Sequence, residues 1–87
     1  DNTAVGSKAL DSLTTGNNNV AIGYNAQGAD TKGDRNVAIG NYSLNAQNFT
    51  SSTDSYNVAV GYSAGLSVTT GVNNTLIGGL AGDAITT

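Results

Sequence analysis

Asn19-Val20-Ala21-Ile22-Gly23 is followed by the nearly identical Asn36-Val37-Ala38-Ile39-Gly40. Three more copies of this motif occur, Asn2-Thr3-Ala4-Val5-Gly6, Asn57-Val58-Ala59-Val60-Gly61 and Asn74-Thr75-Leu76-Ile77-Gly78. The motif glycines stand at positions 6, 23, 40, 61 and 78, so the repeat is regular except for one longer interval between the third and fourth copies. A period that covers the whole chain is typical of a repeat protein in which each copy stacks on the next. We divide this single repeat array into the copies 2–18, 19–35, 36–56, 57–73 and 74–87.

The motif predicts a short β-strand with two different faces. Side chains alternate along a strand, so Val20 and Ile22 share one face while Ala21 and Gly23 share the other. The same division holds for the other internal copies, with Val37 and Ile39, or Val58 and Val60, on the aliphatic face. Alanine and glycine indicate that the second face is also crowded, so that another backbone can approach closely.

The remainder of each period predicts one coil of a β-roll. In the four regular copies a threonine follows the motif glycine by eight positions, namely Thr14, Thr31, Thr69 and Thr86. We expect a second short strand there, around residues 13–15 and 68–70, before glycine turns the chain back. The sequence thus predicts an all-β solenoid of about five 17-residue coils. A three-sided β-helix is disfavoured because the six-residue step from Val5 meets Asp11 and Asn17 instead of aliphatic residues.

Two columns of the repeat carry specific structural expectations. The motif asparagines, stacked coil upon coil, are expected to form a ladder of side-chain amides, as stacked identical strands do. The motif glycines, Gly23 and Gly40 among them, are expected where a Cβ would collide with a neighbouring backbone or where φ is positive.

The composition excludes several functions. His, Cys and Glu are absent and six aspartates are the only acidic residues, so we predict that the chain is not an enzyme and holds no cofactor. The segment Asp30-Thr31-Lys32-Gly33-Asp34 faintly resembles a calcium loop, but Lys32 stands where an oxygen ligand is needed, and we predict no metal. With a net charge of −3 and three basic residues, we expect no nucleic-acid partner. No apolar run approaches the roughly 20 residues of a membrane helix, so membrane insertion is not expected.

The longer third copy contains the irregular segment 44–56. This segment holds Phe49, the only phenylalanine, and the polar run 51–55. It is interpreted either as a tolerated insertion in which Phe49 covers a gap in the roll, or as a loop that contacts a receptor. The candidate receptor contacts are Phe49, Ser52, Thr53 and Asp54. Because loop length itself costs little, we expect a chain shortened by four residues within 48–55 to fold.

The motif also resembles known families of surface fibres. The phrases Asn19–Gly23 and Asn36–Gly40, each followed by a small residue (Ala26 and Ser43), are similar to the head repeats of trimeric autotransporter adhesins. The longer phrase 2–10, with 14–18 after it, is similar to repeats of phage tail-fibre proteins. The resemblance covers all five copies. It implies a left-handed β-roll, three parallel chains around one axis, and surface attachment, although the third copy departs from the family register.

The two apolar strand faces independently favour a homotrimer, because one face can fill the roll while the other meets partner chains. A monomer with solvated aliphatic residues is the alternative. We expect a piece of a longer extracellular fibre, first of a phage tail and next of a bacterial adhesin head, whose candidate partner is a cell-surface glycan or protein receptor. A single-chain ice- or mineral-binding solenoid is the other function class, motivated by the threonine doublets 14–15, 69–70 and 86–87.

Overall fold

The chain is an all-β solenoid. The computed structural model describes residues 1–86, which form strands and turns without a helix. One strand arises from each motif, and the five lie side by side in the order β1 (Thr3–Val5), β2 (Val20–Ile22), β4 (Val37–Ile39), β6 (Val58–Val60) and β7 (Thr75–Ile77). Every pair is parallel. Five stacked strands are separated by four windings, so the solenoid makes about four turns. The predicted end of the fifth copy, Thr87, lies outside the described residues.

The strands pair motif to motif. Ala21 lies opposite Ala4 on one side and Ala38 on the other, and Ala38 lies opposite Ala59 in turn. The spacing between motifs in the sequence is therefore the length of one turn of the solenoid. The repeat architecture and the parallel stacking predicted from the motif are confirmed.

The alanine face of the strands fills the roll. Ala21, Ala38 and Ala59 are fully buried, and they pack with apolar side chains from the turns, including Leu44 and Val68. The branched residues of the same strands point outward. The sequence left open which strand face fills the interior of the roll, and the structure shows that the alanine face, with the smaller side chains, fills it.

The motif glycines allow adjacent coils to approach closely, as predicted. Gly23 and Gly40 have φ values of +126° and +123°, which L side chains rarely adopt. A Cβ on Gly23 would lie 2.7 Å from the carbonyl carbon of Gly40, and one on Gly40 would lie 2.5 Å from the carbonyl oxygen of Gly61. Each glycine is thus required both by its backbone conformation and by the next coil.

The asparagine ladder is confirmed in part, because side-chain amides bond one another from Asn36 to Asn19 at 3.0 Å and from Asn74 to Asn57 at 3.2 Å, while backbone N–H groups link every step. The backbone N–H of Asn36 donates to Oδ1 of Asn19 at 2.9 Å, and that of Asn57 donates to Oδ1 of Asn36 at 3.0 Å. The same bond joins the first and last pairs, Asn19 to Asn2 and Asn74 to Asn57, at 3.0 Å. The ladder satisfies the backbone N–H groups at the start of each strand within the buried part of the solenoid.

A left-handed backbone follows each motif glycine, which the sequence did not indicate. In the second coil the N–H of Ala26 donates to the carbonyl of Gly23, and that of Gly28 to the carbonyl of Asn25. The third residues of these two turns, Asn25 and Gln27, have φ values of 58° and 50°, as a type II turn requires. Type II turns usually place glycine there. Non-glycine residues occupy these positions in most coils, so periodicity alone did not reveal the turns.

The second strand lies later in the coil than predicted. Besides the motif strands, residues 1–86 contain β3 (Gly33–Asp34) and β5 (Thr53–Asp54), which pair in parallel. Residues 13–15 and 68–70 are not strands, so their assignment was wrong. The threonine column nevertheless links adjacent coils, because the N–H of Thr14 donates to the carbonyl of Thr31 at 2.9 Å.

Candidate interaction surfaces

The outward face of the motif strands forms an apolar stripe along the solenoid. The residue before each motif glycine points outward, and this position is exposed in Ile22 and half-buried in Ile39 and Val60. The residue two positions earlier is also aliphatic in the internal copies, as Val20, Val37 and Val58. Single exposed aliphatic residues are common on protein surfaces, whereas a contiguous apolar row marks an interaction site. We call this row, with Val5 and Ile77 at its ends, the aliphatic face.

Three tyrosines extend this apolar surface beyond the ends of the strands. The rings of Tyr24 and Tyr42 meet edge to face with centroids 5.5 Å apart, and those of Tyr42 and Tyr62 do so at 6.1 Å. Such pairs stabilise by about 0.5–1.5 kcal/mol each beyond the area that they bury. Tyr62 nevertheless remains 59% exposed. The tyrosines therefore both pack against equivalent rings of adjacent coils and face solvent.

The extra residues of the third copy enter the coil at two places. Thr31 and Asn48 lie side by side at the regular spacing of the repeat, with Oγ1 3.1 Å from Oδ1. Gly33 pairs with Thr53, so three extra residues enter between positions 48 and 53. Val37 pairs with Val58, so a fourth enters between positions 54 and 58. The second addition lies in residues 55–57, which connect β5 to β6 and belong to no strand, and we call this segment the bulge.

The predicted receptor contacts do not share one environment. Phe49 is 7% exposed, which favours the alternative in which its ring covers a gap in the roll over the one in which it contacts a receptor. Ser52 and Asp54 are exposed and Thr53 is half-buried. The polar half of the insertion therefore remains a candidate contact surface, while its aromatic residue belongs to the structure.

Phe49→Ala is expected to destabilise the fold by about 3 kcal/mol, because truncating a buried aromatic removes its transfer free energy and leaves a cavity. Urea unfolding followed by circular dichroism measures the change. The neighbouring exposed residue provides the matched control, since Thr50→Ala removes side-chain atoms that lie in solvent. Equal unfolding midpoints for the two variants would show that the ring contributes no packing.

The insertion is anchored by a buried carboxylate from the segment that faintly resembles a calcium loop. Asp30 is fully buried. Its Oδ1 accepts hydrogen bonds from the backbone N–H groups of Gly33 and Phe49, both at 3.1 Å. Its Oδ2 accepts from Nε2 of Gln27 at 2.8 Å and from Nε2 of Gln47 at 2.6 Å. Four neutral donors thus occupy the acceptor positions of the carboxylate, and the Phe49 donor comes from the insertion itself.

This carboxylate belongs to a polar interior that runs through the middle coils. Oε1 of Gln47 accepts a hydrogen bond from Nδ2 of Asn57 at 2.7 Å, which joins Asp30 to the asparagine ladder. Gln27 approaches the ladder at its other side, with Nε2 3.4 Å from Oδ1 of Asn19. In the column of Asp30 and Gln47 the other coils carry Leu13, Val68 and Ile85, and in the column of Gln27 they carry leucine or glycine. The signal that could have revealed the polar interior is therefore a polar residue in a column that is otherwise mostly aliphatic.

The threonine column does not present a regular lattice of free hydroxyls. Oγ1 of Thr14 lies 3.1 Å from the carbonyl oxygen of Thr31, and Oγ1 of Thr69 lies 3.2 Å from that of Thr86. Asn48 takes the place of threonine in the third coil, and Lys32 interrupts the adjoining column of the doublets. The geometry disfavours recognition of an ice or mineral lattice, which needs uniform and available groups.

An exposed polar and aromatic cluster lies at the bulge. The guanidinium of Arg35 forms an ion pair with the carboxylate of Asp54, and these side chains are 45% and 51% exposed. The same guanidinium lies 6.0 Å from the ring centroid of Tyr56. Asp54 was among the predicted contacts, whereas Arg35 and Tyr56 were not, although each directly precedes a motif asparagine and the two therefore occupy equivalent positions in adjacent coils.

Within residues 1–86 we found no surface pocket and no group of three or more acidic, histidine or cysteine side chains placed to hold a metal ion. No helix able to cross a membrane occurs in the same range. Comparison of the chain with protein-family models, curated proteins and solved structures gave no match.

Proposed function

We propose that the chain is a structural segment of a trimeric surface fibre used for attachment. The observation that supports this function is the aliphatic face, which leaves an apolar row along the outside of a roll whose interior is already filled by Ala21, Ala38 and Ala59. Burial of apolar surface favours association by about 25 cal/mol per Å², so a face of this kind stabilises an assembly. The proposed partner is a further copy of the same chain.

A parallel trimer suits the surface better than an antiparallel pair. In a cyclic assembly with its axis along the solenoid, every coil meets the equivalent coil of its neighbours, and the repeats stay level. Two rows of side chains run along the solenoid, the aliphatic face and the row of Tyr24, Tyr42 and Tyr62. Two rows suit a closed ring, in which each chain offers one surface to each neighbour. The proposal includes the left-handed coil that the family resemblance implies.

The expected role follows from this architecture. Parallel hydrogen bonds link each coil to the next, and the trimer would protect the apolar faces, so the product is a stiff rod suited to carrying an attachment site outside a cell or virion. A phage tail fibre is the first proposal because the 17-residue period is longer than that of the autotransporter heads, which are the second. The coding sequence around this chain distinguishes them, since a C-terminal membrane anchor indicates an adhesin and a virion-attachment or self-cleaving chaperone domain indicates a tail fibre.

Ile39→Asp is expected to separate the trimer into monomers. The substitution would place an unpaired carboxylate in the apolar contact of each chain, which costs about 3 kcal/mol or more per site. Multi-angle light scattering should give three times the chain mass of 8.6 kDa for the parent chain and a single chain mass for the variant. Ser12→Asp adds the same charge at an exposed position outside the motif strand and is expected to leave the trimer intact. A folded monomer from the parent chain at high concentration would contradict the proposal.

A further inference from the structure

At one backbone position of the repeat, two of the coils carry residues that the backbone conformation disfavours. The residue before each of the last four motif asparagines has a left-handed backbone, with φ values of 59° at Asn18, 60° at Arg35, 51° at Tyr56 and 59° at Asn73. Asparagine tolerates this conformation, whereas residues with larger side chains pay a steric cost there. The first and last of the four positions therefore carry the residue that suits the backbone, and the two middle positions do not.

Burial does not offset this cost at Arg35 and Tyr56. Leu44 also has a left-handed backbone, with φ of 48°, but its side chain is fully buried in the roll. Tyr56 is 50% exposed, and the Arg35 side chain is 45% exposed. The ion pair between Arg35 and Asp54 is also exposed, and exposed ion pairs contribute little to stability. The same combination of a left-handed backbone and an exposed side chain occurs at Lys8 and Leu80, so the cluster is distinguished by its grouped side chains and not by strain alone.

The repeat register and the longer third copy together place the members of the cluster. Arg35 and Tyr56 occupy equivalent positions in adjacent coils, and the register of the flanking strand pairs puts the extra residue between positions 54 and 58. Arg35 and Asp54 hold each other in place and together carry no net charge. An aromatic ring, a guanidinium and a carboxylate thus lie next to one another on a rigid support, with the hydroxyl of Ser52 on the same exposed segment.

We propose that Tyr56, Arg35 and Asp54 form a binding site for a neutral saccharide. A tyrosine ring offers an apolar face on which the C–H groups of a sugar ring can stack, while its hydroxyl stays in water. A guanidinium donates and a carboxylate accepts, so the pair can bind two adjacent hydroxyls of one sugar. The neutral pair disfavours phosphorylated or sialylated ligands, which would meet the Asp54 carboxylate. The site lies within one chain, so it goes beyond the proposed fibre role and does not require the trimer.

The test is a glycan array that carries neutral hexose and N-acetylhexosamine oligosaccharides, with sialylated and phosphorylated glycans as comparators. The parent chain is expected to retain at least one neutral oligosaccharide. Tyr56→Asn and Asp54→Asn are expected to lower that retention at least tenfold. Thr70→Asn changes an exposed residue elsewhere and is expected to bind like the parent. Binding confined to charged glycans, binding to none, or binding unchanged by Tyr56→Asn would overturn the proposal.

The melting temperature separates a binding role from a structural one. Because asparagine suits the left-handed backbone, Tyr56→Asn is expected to raise the melting temperature while it removes binding. A lower melting temperature would show that Tyr56 stabilises the fold, and would overturn the argument from strain. Light scattering on the same samples reports the trimer separately, so a failure of the saccharide site remains distinct from a failure of the proposed fibre function.

Discussion

Gly40→Val is expected to prevent the solenoid from forming at its centre. The backbone of Gly40 has φ of +123°, which valine adopts only with strain, and a Cβ would lie 2.5 Å from the carbonyl oxygen of Gly61. Backbone strain of this kind costs about 1–3 kcal/mol, and an overpacked contact costs about 1–3 kcal/mol more. A domain of this length has a total stability of about 4–13 kcal/mol. The substitution therefore removes a large share of the total stability, and in a trimer it is present in all three chains.

Circular dichroism during heating measures this loss. Gly79→Val is the matched control, since a Cβ on Gly79 meets no atom within 4 Å and its backbone lies outside the left-handed region. The control is expected to melt within a few degrees of the parent chain, and Gly40→Val is expected to be unfolded or to melt far earlier. Similar melting curves for the two variants would show that the motif glycine is a flexible spacer and that the close approach of the coils can relax.

The sequence predicted the features that every copy shares. The asparagine ladder, the glycine column and the parallel register all depend on residues that recur once per turn, and periodicity reports such residues directly. Which face of the strand points into the roll was ambiguous, because Ala21 and Ile22 are both apolar and alternation does not say which face is interior. The available volume decides between the two faces, because the interior of a narrow roll accommodates the methyl group of Ala21 and leaves Ile22 outside.

The features that belong to one copy were less predictable. The sequence left open whether the insertion projects as a loop or packs with Phe49 over the roll, and it did not indicate that the extra residues enter at two places. Phe49 is buried and makes a contact with the preceding coil, the hydrogen bond from the Phe49 N–H to Asp30. A contact of this kind appears in the sequence only as one acidic residue in a mostly aliphatic column. The expectation that four residues can be removed without loss changes accordingly, because a deletion that takes Phe49 also takes a donor from a buried carboxylate.

The left-handed turns were missed for a related reason. Turn signals in sequences are mainly glycine and asparagine, because these residues tolerate positive φ. In this chain Gln27 and Leu44 adopt φ of 50° and 48° with their side chains fully buried. Burial and hydrogen bonding inside the roll offset the local strain, so tertiary structure decides a conformation that local preference opposes. Burial does not offset the strain everywhere, because a left-handed backbone is combined with an exposed side chain at Tyr56, Arg35, Lys8 and Leu80.

Asp30 links the insertion to the interior, and its replacement is expected to have the second large effect. A buried carboxylate costs desolvation free energy unless its oxygens accept hydrogen bonds, and here four donors satisfy them. Removal of the Asp30 carboxylate leaves its four donors without an acceptor. The side-chain amides of Gln27 and Gln47 can reorient, but the N–H groups of Gly33 and Phe49 are fixed by the backbone. Each donor left buried without a partner costs about 1–3 kcal/mol.

Asp30→Ala is therefore expected to destabilise the fold by about 4 kcal/mol, the sum of two fixed N–H groups and a polar cavity. Asp30→Asn keeps the shape but turns one acceptor into a donor, so it is expected to fall between the parent and the alanine variant. Asp11→Ala, at an exposed position, should stay within about 0.5 kcal/mol of the parent. Urea unfolding gives the three values. If Asp30→Ala unfolds at the same midpoint as Asp11→Ala, the carboxylate does not hold the insertion, and the path of residues 49–55 must be fixed by the packing of Phe49 alone.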